Sequence, residues 1–72
     1  MGRLPQVSGR DVIMALSRLG FEKVRQKGSP VMMRRGSQGV VVPMHDPLKM
    51  GTLAGILRQA QVSRDEFVEA LG

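Results

Sequence analysis

The feature that most restricts the fold is a change of hydrophobic period at Gly20. Before it, Val12, Ile13, Leu16 and Leu19 recur at helical spacing and share one face. After it come short apolar runs cut by glycine-containing turns, and helical spacing returns only at Leu53. A 72-residue chain with that order has few ways to bury its apolar groups, because small sheets and helices each have one face to cover. The helices must share one side of a small sheet.

Taken in order, residues 1–7 hold Pro5 and no periodic pattern, and read as a lead-in segment. Ser8 suits a helix N-cap, with Asp11 three residues on where a capping box normally has Glu or Gln, a partial match. The first helix is expected over about residues 9–19, ended by Gly20. Phe21 to Arg25 is expected to be extended, with Val24 inward and Lys23 and Arg25 outward. Lys27-Gly28-Ser29 has turn chemistry. Val31–Arg35 reads as a second strand, Gly36–Gly39 as a hairpin loop and Val40–Val42 as a third strand ended by Pro43. If Val31, Met33, Val40 and Val42 point inward, then Met32, Val41, Lys23, Arg25 and Arg34 line an open face. Met44–Lys49 is an irregular connection holding Pro47. A second helix follows with Leu53, Ile56, Leu57 and Ala60 on one face and Thr52 as its candidate cap. Ser63 and Glu66 form a full capping box for a short third helix over about 64–71. The expectation is a single α+β domain over residues 1–72, with a three-stranded antiparallel sheet and its helices on one face.

Charge narrows the function. The net charge is +5, and residues 1–35 carry eight Lys/Arg against two Asp/Glu while residues 36–72 carry three against four. Segregated positive charge favours a polyanionic partner over a uniformly solvated surface. With no Trp or Tyr and only Phe21 and Phe67, a base-stacking platform is poorly supplied, so contacts would fall on phosphate and sugar. The absence of cysteine excludes disulfides and thiolate metal sites and fits a cytoplasmic protein. A single histidine leaves metal ligands scarce; neither a metal nor a cofactor is expected. No apolar run approaches the roughly 18 residues that span a bilayer, so no membrane partner is expected.

The stretches SGRDVIMALSRLGFEKVRQKGS, Val41-Val42-Pro43 with His45 just after it, and MGTLAGILRQAQVSRDEF, in this order and spacing, resemble the HicA (YcfA-like) toxins. The resemblance runs from about Ser8 to Leu71. It implies a double-stranded-RNA-binding-domain-like α-β-β-β-α fold, here with a short extra C-terminal helix. It also implies the toxin component of a type II toxin–antitoxin system, an endonuclease acting on RNA (an mRNA interferase), and a HicB-like antitoxin as partner.

The resemblance fails at one position. The family places its catalytic histidine after the Gly-Ser turn, and here that residue is Pro30. Proline has no side-chain proton donor or acceptor and cannot act as a general acid or base. His45 is the remaining imidazole for a catalytic role, with Asp46 beside it; alternatively it serves only its own loop. Lys23, Arg25, Lys27, Ser29, Arg34 and Arg35 are the candidate RNA-binding residues, although a serine in a Gly-Ser turn is more often a turn residue. Three functions stay open: an RNA-binding toxin with impaired or absent cleavage, an active ribonuclease using His45, and a non-enzymatic RNA- or protein-binding module.

Overall fold

Ser8 sets the start of the first helix. Its backbone is extended, its hydroxyl accepts the Asp11 N–H at 3.1 Å, and the Asp11 carboxylate accepts the Ser8 N–H at 3.1 Å. The capping box is therefore complete, aspartate reaching where the motif usually has a longer acid. The computed structural model describes residues 4–24 and 28–72, and within them the elements run α1 (Gly9–Arg18), β1 (Glu22–Lys23), β2 (Val31–Arg35), β3 (Gln38–Val42), α2 (Met50–Ala60) and α3 (Arg64–Leu71). Helix α1 ends at Leu19, and Gly20 takes the positive φ of +98° that turns the chain into β1.

The sheet has the order β1-β2-β3, antiparallel throughout. Its second turn is shorter than the sequence suggests. Gln38 and Gly39 pair with Arg35 and Arg34, leaving Gly36 and Ser37 as a two-residue turn in which Gly36 has φ +60°. Such tight hairpins need left-handed backbone, which glycine supplies. The ladder stops at the Val31–Val42 pair. Pro30 and Pro43 are the residues immediately beyond it, and neither has an N–H to continue it.

Met33, Val40 and Val42 are buried beneath the helices, whereas Met32 and Val41 are exposed on the other face. The register overturns one expectation. Opposed residues of antiparallel strands share a face. Glu22 stands opposite Arg34, and Lys23 opposite Met33; the Val24 N–H donates to the Met32 carbonyl. Val24 therefore joins Met32 and Val41 on the open face, and Lys23 lies on the helix side at the exposed sheet edge. Burial of Phe21 fixes this parity, since a residue two before Lys23 must point the same way.

Helix α1 packs on the sheet and on α3, and α2 packs on β3. Leu53, Ile56, Leu57 and Ala60 form the buried face of α2. Thr52 is not its cap: Lys49 occupies that position and makes no side-chain capping bond. The Ser63–Glu66 capping box forms as expected. The Ser63 backbone N–H, followed by its side chain, holds the Glu66 carboxyl below its ordinary value. The lead-in is more than a leader, because Leu4 and Val7 are buried and the Val7 carbonyl accepts the Leu48 N–H at 2.8 Å. Two apolar residues in an extended segment carry no periodicity from which this could be read.

Two arginines tie the helices down. Arg18 donates through Nη1 to the Ala70 carbonyl at 2.8 Å and to the Leu71 carbonyl at 3.3 Å, satisfying the end of α3. Arg35 donates through Nη1 to the Leu19 carbonyl at 2.9 Å, and its guanidinium stacks 4.6 Å from the centre of the Phe21 ring. Replacing Arg35 by Ala is expected to cost about 1.5–3 kcal/mol, the usual range for losing a charge-assisted bond of this kind. Arg35→Lys should restore only part of it, since an ammonium lacks the planar face that stacks. Urea unfolding of the three proteins measures both.

Candidate functional site

The end of the sheet marked by Pro30 and Pro43 gathers the residues with the most chemical interest. Gly28, at φ +76°, and Ser29 form the described part of the β1–β2 turn, and the Ser29–Pro30 bond is cis. Ser29 and Pro30 are exposed. The chain leaving β3 passes through Pro43 and Met44 to His45, whose carbonyl accepts the Gly9 N–H at 2.9 Å. This bond fastens the loop to the start of α1. A methyl group built on Gly9 would overlap the Pro43 carbonyl oxygen and come within 3.0 Å of the Met44 Cα. Only a glycine lets the helix approach this loop so closely.

His45 is exposed and lines a shallow groove of about 370 Å³ together with Ser8, Arg10, Met44 and Asp46. The amides of Gly9, Asp11 and Val12 are already bonded, to the His45 carbonyl, the Ser8 hydroxyl and the Ser8 carbonyl. The helix end therefore has little left to offer an anion, and Arg10 is the cationic group of this groove. Sequence reasoning passed over Arg10; its signal was its position two residues after the Ser8 cap, beside the loop that glycine admits. Among the described residues, no group of three or more potential metal ligands occurs.

The expected basic cluster is divided. Arg34 is exposed on the open face, at the far end of β2 from Pro30 and roughly 10 Å along the strand from Val31. Lys23 is exposed at the β1 edge. Neither side chain is hydrogen-bonded or ion-paired to a described residue. Both line a second groove of about 360 Å³ with Gly20, Glu22, Val24, Arg35 and Gly36. Arg35 is half-buried and held by Leu19 and Phe21. Arg25 and Lys27 lie outside the described residues. Ser29 and His45 belong to the Pro30 end, Lys23, Arg34 and Arg35 to the other, with the row Val24, Met32 and Val41 between them on the open face.

Comparison with known families adds the decisive observation. Residues 9–62 match the model described as the HicA toxin of bacterial toxin–antitoxin systems. The chain belongs to the HicA toxin family. The match takes in α1, the whole sheet and α2, and ends at Val62, just before α3. No curated protein matches the chain. Membership makes this the toxin component of a toxin–antitoxin system, which implies an antitoxin partner. The Gly28-Ser29-Pro30 turn, the open sheet face and the residues of both grooves other than Ser8 lie inside the HicA match. No helix of the described residues is long and apolar enough to cross a membrane.

Proposed function

We propose that this HicA toxin binds RNA through the open sheet face and the Pro30 end of the sheet, is impaired in cleaving it, and retains a HicB-like antitoxin as partner. The observation that carries this reading is Pro30. It occupies the first residue after the Gly28-Ser29 turn, where the family resemblance calls for the catalytic histidine. Cleavage of RNA without a metal requires removal of the 2′-hydroxyl proton and protonation of the leaving oxygen. A proline side chain does neither. Binding needs only cations and accessible backbone, and Arg34, Lys23 and Arg10 are exposed. The substrate is then mRNA, in the cytoplasm.

Phosphate binding is tested by its salt dependence. Affinity for a short single-stranded RNA should fall steeply from low to physiological salt, as condensed counterions are released. Arg34→Ala should weaken binding and make the log–log salt slope shallower by about one phosphate contact, roughly 0.7 for a single strand. A flat salt dependence would remove the RNA reading. A second reading, ribonuclease activity carried by His45, is favoured by one observation: the exposed imidazole shares its groove with Arg10. In that case His45→Ala abolishes cleavage that the parent chain performs.

A further inference from the structure

The outer side of β3 is the longer of the sheet's two edges, and no described strand pairs with it. Because the Val24 N–H donates to the Met32 carbonyl, Met32 directs its backbone groups toward β1 and away from β3. In an antiparallel pair, residues alternate between bonding across the pair and pointing away from it. The opposed residue, Val41, therefore also points its N–H and carbonyl away, to the outer edge of β3. Gly39 does the same two residues earlier, being opposite Arg34. No hydrogen bond from either amide to another described residue occurs. Such edges are normally blunted by charge, an internal proline or a covering segment. Residues 38–42 read QGVVV, with no charge and no proline, and Gly39 and Val41 are exposed although α2 packs against this strand.

The edge also continues an apolar surface. Val24, Met32 and Val41 stand side by side across the three strands on the open face, with Met32 37% and Val41 43% exposed. A strand added beside β3 extends this row by one position, and a folded body attached to that strand covers the rest.

We infer that the free edge of β3 is a strand-addition site for the antitoxin, which supplies an extended segment bonded to the Gly39 and Val41 backbone. The inference rests on the toxin–antitoxin reading. The occupant follows from charge and size. A second copy would bring together two chains of +5 each, and β3–β3 pairing alone would engage five residues a side, against the roughly 20–30 of a stable interface. An antitoxin with acidic side chains flanking its added strand meets neither obstacle.

The test is amide hydrogen exchange on the full chain, alone and in complex with a HicB-family antitoxin that neutralises it. The Gly39 and Val41 amides should exchange rapidly in the free protein and be slowed at least 100-fold in the complex. Val41→Pro removes an outward N–H without removing a β2–β3 bond, so it should keep a cooperative unfolding transition and lose at least tenfold in antitoxin affinity. Complex formation with both amides still exchanging rapidly, or unchanged affinity in a folded Val41→Pro protein, would overturn the inference and leave the toxin–antitoxin reading intact. Protection in the free chain that grows with protein concentration would assign the edge to a second copy and overturn it as well. Failure to form any complex with that antitoxin would contradict the inference together with the toxin–antitoxin reading.

Discussion

Gly9→Ala is expected to lower stability by about 3 kcal/mol, the upper end of the range for overpacking a close contact. The added methyl meets backbone, the Pro43 carbonyl oxygen and the Met44 Cα, and backbone cannot rotate aside as a side chain can. Separating the two segments would also break the Gly9 N–H bond to the His45 carbonyl. Domains of this size lose roughly 4–8 °C of Tm per kcal/mol, so the transition should fall by about 12–24 °C. At the usual 0.05–0.15 kcal/mol per residue the whole domain has about 4–11 kcal/mol of stability, so this loss is a large share of it. Gly55→Ala is the control. It lies within α2 with nothing within 4 Å of an added methyl, and removing a helical glycine should raise stability by about 0.5–1 kcal/mol. Thermal unfolding of the two variants should therefore move in opposite directions. Equal, small shifts would mean that α1 does not press on the Pro43–Met44 backbone.

Pro30→His is expected to raise RNA cleavage by at least about 100-fold, the lower bound of what a positioned acid–base group contributes. The site is exposed at the start of β2, and a cooperative thermal transition of the variant establishes that it is folded before its activity is read. RNA affinity should be little altered, since binding depends on the cations and not on the residue at position 30. Cleavage is read from a labelled RNA under single-turnover conditions, which separates the chemical step from binding. A folded Pro30→His protein that binds RNA and does not cut it would show that the loss of function extends beyond one side chain.

The order of elements was legible because each signal was local. Ser8, Gly20, the Val40–Val42 run ended by Pro43 and the Ser63–Glu66 box each act within a few residues of themselves. What escaped was set by partners distant in sequence. Leu4 and Val7 are core residues because α2 lies against Leu4 and Leu48 against Val7, and an aperiodic segment does not announce that. The direction of Val24 depends on its pairing with Met32, and imperfect alternation at Phe21–Val24 allowed either parity. The hairpin shortened because Gly36 accepts a left-handed conformation, which draws Gln38 and Gly39 into the ladder.

The candidate site divides along the same line. His45 stood out as the single histidine, and Pro30 through the family resemblance, which expects a proton-transfer group where proline stands. That Arg35 serves α1 and Phe21 could not be seen from a run of basic residues, because a guanidinium at a strand end is free or committed according to what packs beneath it. Arg10 was hidden for the opposite reason: its groove exists only because Gly9 lets the β3 exit lie against the helix.

The most direct measurement follows binding and cleavage together, by incubating the purified chain with an end-labelled RNA and resolving bound, free and cut species over time. A salt-sensitive bound species is predicted, with the RNA remaining intact at the rate of the protein-free control. Cleavage well above that control would contradict the account, and its loss in His45→Ala would transfer the chemistry to His45.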